Sequence, residues 1–281
     1  MAWLSPAWSR MVEEQFDLPV RVTDAFGKKI THDVHVTVFR DDAAGAPRPV
    51  AVVDHGRSAE AQERVTMGRA RFPVAARWLV QMGFVVAVPT RIGYGVTGGD
   101  DAEDTPGPCE ARNFGPGLTA AAEQTLAVLK AMRERSDVRS DRAIVIGVSF
   151  GGATAVAVAA LAPPGVDAAI NFAGGAGGNP SLRPGRPCSA HMMERLFAEY
   201  GRRARMPTLW IYAENDRFFG SEHPKTWFDA FRKAGGNGEF VQLPPAGEDG
   251  HRVFVEFPAL WQPLVADFLH RQGYRAAEAV R

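Results

Sequence analysis

"AIVIGVSFGG" occupies residues 143–152 and decides how the chain is read. Ala143 to Val148 is an unbroken run of apolar and small residues, the pattern of a strand buried on both faces. Ser149 follows, with Gly147 and Gly151 two positions to either side. In G-x-S-x-G the serine stands on a tight, strained strand-to-helix turn, and the flanking glycines, having no Cβ, let neighbouring backbone approach. The local expectation is a strand ending at Val148, a nucleophilic Ser149 with its hydroxyl pointing out of the fold, and a helix over about residues 150–161.

The same alternation extends in both directions. "LPVRVTD" (18–24) and "DVHVTVFR" (33–40) show strand periodicity, and further strands are expected at 47–56, 84–91, 166–174, 206–216 and 238–245. Helical patterns lie between them at 72–83, 118–135, 190–203, 224–236 and 258–273. Such alternation implies an α/β fold with a mostly parallel central sheet of about eight strands and helices on both faces. No repeat or linker divides the chain, so residues 1–281 are expected to form a single domain, with 175–205 as a small cap insertion. Ligands of such sheets bind beyond the carboxyl ends of the strands. Ser149, the Asp54-His55-Gly56 stretch and Asp216 all fall there.

Lys plus Arg and Asp plus Glu number 32 each, so the formal net charge is zero and nothing favours a nucleic-acid partner. The uncharged stretch 143–162 is long enough to span a bilayer, but three glycines interrupt it and Pro163-Pro164 ends it. A buried strand followed by a buried helix is the expected form. The N-terminal "MAWLSPAWSRMVEEQF" has no apolar core of signal-peptide length. The expected location is therefore the cytoplasm, or the periplasm or exterior if this is the mature part of a secreted protein. "GYGVTG" (93–98) has G-x-G-x-x-G spacing, but the acidic, proline-containing "GDDAEDTPGPCE" follows where a dinucleotide site needs a helix N-terminus. That loop is instead expected to border a substrate pocket, with Arg91 and Tyr94 as candidate contacts. The insertion carries Arg183, Arg186, Arg195, Arg202, Arg203 and Arg205, either as a solvated face or as a mouth favouring acidic substrates. Cys109 and Cys188 have no CxxC partner, and no metal site is expected. Both lie in Gly/Pro-rich loops. Two free thiols and one disulfide both remain open on the residues alone.

A serine hydroxyl is a weak nucleophile that needs a base, usually a histidine held by a carboxylate. Where the serine occupies a strand-to-helix elbow, chain order is Ser, then acid, then His. Of the histidines after Ser149, His251 lies in "PPAGEDGHRVF", the loop after the last strand, whereas His191, His223 and His270 fall in or at the start of helices. In "LWIYAENDRFFG", Asp216 is preferred over Glu214 because it lies beyond the strand end. Two N–H donors are needed for an oxyanion. Phe150, directly after the serine, and Arg57, behind Gly56, are the candidates. His55 is expected to order its loop.

With "DHG", "GVSFGG", "AENDRF" and "EDGHRVF", the chain resembles the α/β-hydrolase superfamily and, more closely, its dienelactone-hydrolase-like bacterial branch, from about residue 18 to 272. The resemblance implies an α/β-hydrolase fold and a serine hydrolase that cleaves small carboxylic esters through an acyl-enzyme, without a cofactor. Dienelactone hydrolases use a cysteine nucleophile. Ser149 stands there in this chain, so the resemblance carries serine esterase chemistry and not the dienelactone substrate. Relatives of this kind with a cysteine in each of the two loops often carry a secretion signal, which would make Cys109–Cys188 a bridge. Two other readings remain: a serine peptidase or amidase of similar fold, and a catalytically inactive hydrolase-fold binding protein. The residues do not give the oligomeric state.

Overall fold

The computed structural model describes residues 11–275, and over that span the alternation becomes one sheet of eight strands flanked by helices. The strands are β1 (Met11–Thr23), β2 (Lys29–Asp41), β3 (Arg48–Asp54), β4 (Val85–Thr90), β5 (Val138–Val148), β6 (Val166–Phe172), β7 (Thr208–Ala213) and β8 (Gly238–Leu243). Their spatial order is β1-β2-β4-β3-β5-β6-β7-β8. β2 pairs antiparallel with both β1 and β4, and every pairing from β4 to β8 is parallel. This is an α/β-hydrolase-type fold. The stretch inspected for a leader lies, over residues 1–10, outside the described residues.

The helices are α1 (Ala61–Thr66), α2 (Pro73–Gln81), α3 (Gly115–Arg133), α4 (Phe150–Leu161), α5 (Ala190–Arg203), α6 (Glu222–Lys233), α7 (Val253–Glu256) and α8 (Pro258–Arg271). α3 to α6 cover one face of the sheet, and α2, α7 and α8 cover the other. Among the described residues no helix is long and apolar enough to cross a membrane. The stretch considered for a span divides into β5 and α4, and α4 is buried from Phe150 to Ala160. Its alanines and glycines let it press against the sheet with little side chain between.

Three features differ from the sequence expectations. β1 begins at Met11 and β5 at Val138, earlier than their apolar runs, because polar strand ends are held by ion pairs. Glu14 accepts from Arg40 and Arg135, and Glu13 from Arg69 and Arg71. The short α1 and α7 were not anticipated, and α1 buries no residue that would give it a pattern. Within 175–205, α5 packs into the body of the protein. Its Met193 and Phe197 are fully buried, and Phe197 meets Trp210 and Trp227 at ring-centroid distances of 4.8 and 5.9 Å. Only the preceding loop stands over the carboxyl ends of the strands. A disulfide joins that loop to the one after β4 through Cys109 and Cys188.

Candidate active site

Ser149 takes φ 58° and ψ −123°, a left-handed backbone that few non-glycine residues adopt, costing of order 1–3 kcal/mol. Packing enforces it. A Cβ on Gly151 would run into the Asp54 and His55 carbonyls, and one on Gly147 into the backbone of Gly151. Hydrogen bonds clamp both sides of the turn: the Ser149 N–H donates to Phe172 O at 2.9 Å, and Ser149 O accepts from Ala153 and Gly175. Phe150 is the first residue of α4, where a backbone N–H has no partner within its helix.

β7 and β8 deliver the other two groups. Asp216 follows β7, and His251 lies in a 3₁₀ turn (Gly250–Arg252) after β8. His251 Nδ1 is 3.0 Å from Asp216 Oδ2. A carboxylate only accepts, so Nδ1 carries the proton and Nε2 is left as the acceptor nitrogen. Asp216 Oδ1 accepts from the Phe218 and Phe219 N–H groups at 2.7 and 2.9 Å. The two oxygens of Asp216 thus serve separate partners, one the following turn and one the imidazole. Phe218 stacks on the imidazole at 3.9 Å and Phe219 meets its edge at 5.2 Å. Glu214, the other acid considered, is exposed, as are His191 and His270. His223 lies against Trp227, and burial pushes its pKa below the usual histidine range.

Asp249 was missed in the sequence. Its Oδ1 accepts from the His251 N–H and the Arg217 N–H, both at 3.0 Å, and so ties the histidine turn to the loop of Asp216. An aspartate two residues before a histidine, behind a glycine-rich loop, is a local capping signal that reveals such a role.

The loop after β3 hangs from a buried polar cluster. The His55 Nδ1–H donates to Gly56 O at 2.7 Å, and Nε2 accepts the Arg91 N–H at 3.1 Å. Burial, then the nearby Arg91 charge, hold this imidazole well below its usual pKa, so it stays neutral. Arg91 donates to His55 O at 2.8 Å and to Glu103 at 2.5 and 3.2 Å. Burial opposes its charge, but Glu103, Tyr94 and Asp54 outweigh that and raise its pKa. Burial raises the Asp54 carboxyl to about 6 against the pull of Arg91 and Thr125.

The pocket expectation for Arg91 is thereby corrected. Its side chain is 0% exposed and fastens the β3 loop from beneath, without reaching the cleft. Tyr94 does line the cleft, but its hydroxyl donates to Glu103 at 2.7 Å and accepts from Arg57 at 3.0 Å. Arg57 also pairs with Asp101 at 2.6 Å, which fixes the residue whose N–H was singled out.

Two spaces meet at Ser149. A cleft of about 700 Å³ holds Ser149 and His251 together, with Met67, Phe72, Leu182 and Val255 on its walls. A smaller chamber of about 280 Å³ adjoins it, sharing Ser149, Arg57, Leu182 and Phe218 with the cleft and bounded further by Phe150, Gly175, Ala176, Gly177, Gly178, Arg112 and the Cys109–Cys188 bridge. No hydrogen bond joins Ser149 Oγ to His251 among the described contacts. Arg183 reaches the chamber wall, whereas Arg195, Arg202, Arg203 and Arg205 are exposed along and beyond α5.

The model of the dienelactone hydrolase family matches residues 66–248 of this chain, well over half of it. The chain belongs to the dienelactone hydrolase family. No match was found among curated proteins. Solved structures with the same fold include an acetyl xylan esterase from Paenibacillus sp. R4, at 17% identity and TM-score 0.61, covering 96% of this chain and 86% of that one. An esterase from Pyrococcus furiosus is 16% identical with TM-score 0.59, covering 92% of each chain. A dienelactone hydrolase-like promiscuous phosphotriesterase from metagenomic libraries is 20% identical with TM-score 0.52, covering 84% and 82%. Family membership, with esterases among the fold's neighbours, makes the chain a hydrolase.

Proposed function

We propose that this family member is a serine carboxylesterase acting on small esters through an acyl-enzyme. One observation carries the reading: a carboxylate-held imidazole at the same cleft as a serine in left-handed backbone geometry. In the first step the Ser149 Oγ proton passes to His251 Nε2 as Oγ bonds the ester carbonyl carbon. Asp216 holds the imidazole and stabilises the imidazolium. The carbonyl oxygen becomes an oxyanion, which the N–H groups of Phe150 and Arg57 receive. The bond from carbonyl carbon to alcohol oxygen then breaks, and His251 returns the proton to that oxygen. Water repeats the sequence from the same side and frees the acid. The transfer calls for Ser149 Oγ to meet Nε2, and catalytic hydrogen bonds commonly tighten only with substrate in place.

Within this reading, the arrangement that fixes Arg57 gives the β3 loop a pre-set position, so the donor needs no reorganisation during reaction. The test is p-nitrophenyl acetate turnover beside active-site labelling with a fluorophosphonate. Both activities should vanish in Ser149→Ala. Labelling that persists in that variant removes the proposal. A folded protein that is labelled but turns over amides and no ester would favour the amidase reading.

A further inference from the structure

The two spaces around Ser149 differ in what they touch. The large cleft contains His251, whereas the small chamber contains Phe150 and does not reach the histidine. This decides how an ester must lie, given the serine mechanism just proposed. The group that departs receives its proton from His251 Nε2, so its oxygen faces the histidine and its remainder occupies the cleft. The acyl group points the other way, into the chamber. We infer that this enzyme divides its substrate by polarity: a short, oxygen-bearing acyl group in the disulfide-walled chamber and a bulky apolar alcohol in the cleft.

The linings support that division. Met67 and Val255 are unusually exposed apolar side chains, at 37 and 53%, that face the cleft and not the chamber, and Leu182, at 74%, stands where the two spaces meet. Their exposed surface is what an apolar alcohol would cover. The chamber is walled by Asp104, Thr105, Arg112 and glycine backbone, beside the rings of Phe150, Phe218 and Phe219. Arg112 Nε is buried and has no hydrogen-bond partner, and its Nη1 only reaches Thr105 at 3.5 Å. That Nε is sealed from solvent, so it is the chamber-lining remainder of the guanidinium, only weakly engaged by Thr105, that an acceptor on the acyl group would meet. Ala176, 7% exposed, lines the chamber, and a longer side chain at that position would take up part of its room.

Two ester series separate the halves. para-Alkylphenyl acetates keep the phenol's acidity nearly constant while lengthening the alcohol. p-Nitrophenyl esters of acetic, butyric, octanoic and methoxyacetic acid vary the acyl group alone. kcat/KM, corrected for each ester's reactivity with hydroxide, should rise about tenfold from methyl to octyl on the phenol, and fall at least about tenfold from butyryl to octanoyl. Methoxyacetyl, which replaces one methylene of butyryl with oxygen, should be preferred about tenfold, and Arg112→Leu should erase that preference while Arg112→Lys keeps part of it. Ala176→Val should depress butyryl relative to acetyl without altering the phenol series, and Val255→Glu should do the reverse. Octanoyl preferred over acetyl, with no response to phenol length, overturns the assignment while leaving Ser149-dependent hydrolysis intact. Hydrolysis that survives Ser149→Ala would instead sink the serine mechanism beneath it.

Discussion

Removing the Cys109–Cys188 bridge tests how far the chamber wall contributes to stability. The two sulfurs are separated by 79 positions in the chain, so opening the bridge frees that loop in the unfolded state and costs about 4.5 kcal/mol in the chain-entropy model. Spread over an unfolding entropy of about 2.1 cal/mol/K per residue in 281 residues, this is a fall of roughly 8 °C in Tm. The folded loops have other ties. Ser189 Oγ accepts from the Arg112 N–H at 2.8 Å and donates to Cys109 O at 2.6 Å, and the Cys188 N–H donates to Gly177 O at 2.9 Å. The native arrangement should therefore outlast reduction, and the effect should come through the unfolded chain. The assay is thermal unfolding of the wild type with and without a phosphine reductant, beside Cys109→Ser/Cys188→Ser, with thiols titrated in each sample. The oxidised protein should show no free thiol, and the reduced protein and double variant should share the lower Tm. A fully reduced protein that melts within about 2 °C of the oxidised one would refute the entropic argument.

Three further outcomes follow. Asp216→Asn should lower kcat by about 10³–10⁴-fold with little change in Tm, because the amide can still take the Phe218 and Phe219 N–H groups but no longer holds the imidazole proton correctly; ester kinetics and a melting curve check it. Gly151→Ala should fail to fold or lose several kcal/mol, read by urea titration, since its methyl collides with fixed carbonyls. Asp54 titrates at about 6 when folded against 3.8 in an open chain, so its ionisation is unfavourable to the fold and Asp54→Asn removes a penalty approaching about 3 kcal/mol. The advantage of the variant over wild type should be absent below pH 3.8, grow between there and 6, and level off above; a difference in urea stability that shrinks with rising pH would contradict it.

The parallel sheet was legible because each buried strand is a short apolar run closed by a turn signal, as at Val148-Ser149 and Ala213-Glu214. The candidates Ser149, Asp216 and His251 are singled out on the same ground: each lies in the turn or loop that follows its own strand. What escaped depended on partners far along the chain. Arg91 after β4 resembles any loop arginine until Glu103 is known to meet it in the interior. The cysteine pair could not be settled by spacing, because bonding depends on where two loops lie. Asp249 was within reach, since its contacts are local.

The position of α5 has one more consequence. Phe197 is held between Trp210 and Trp227, and Phe231 packs on Trp210 at 5.2 Å, so the helix that follows the loop over the site is anchored through the aromatic core. It cannot swing outward without breaking that stack. The loop over the site therefore runs into a fixed helix at its far end and is tied, at Cys188, to the loop after β4, so its base is held at two points.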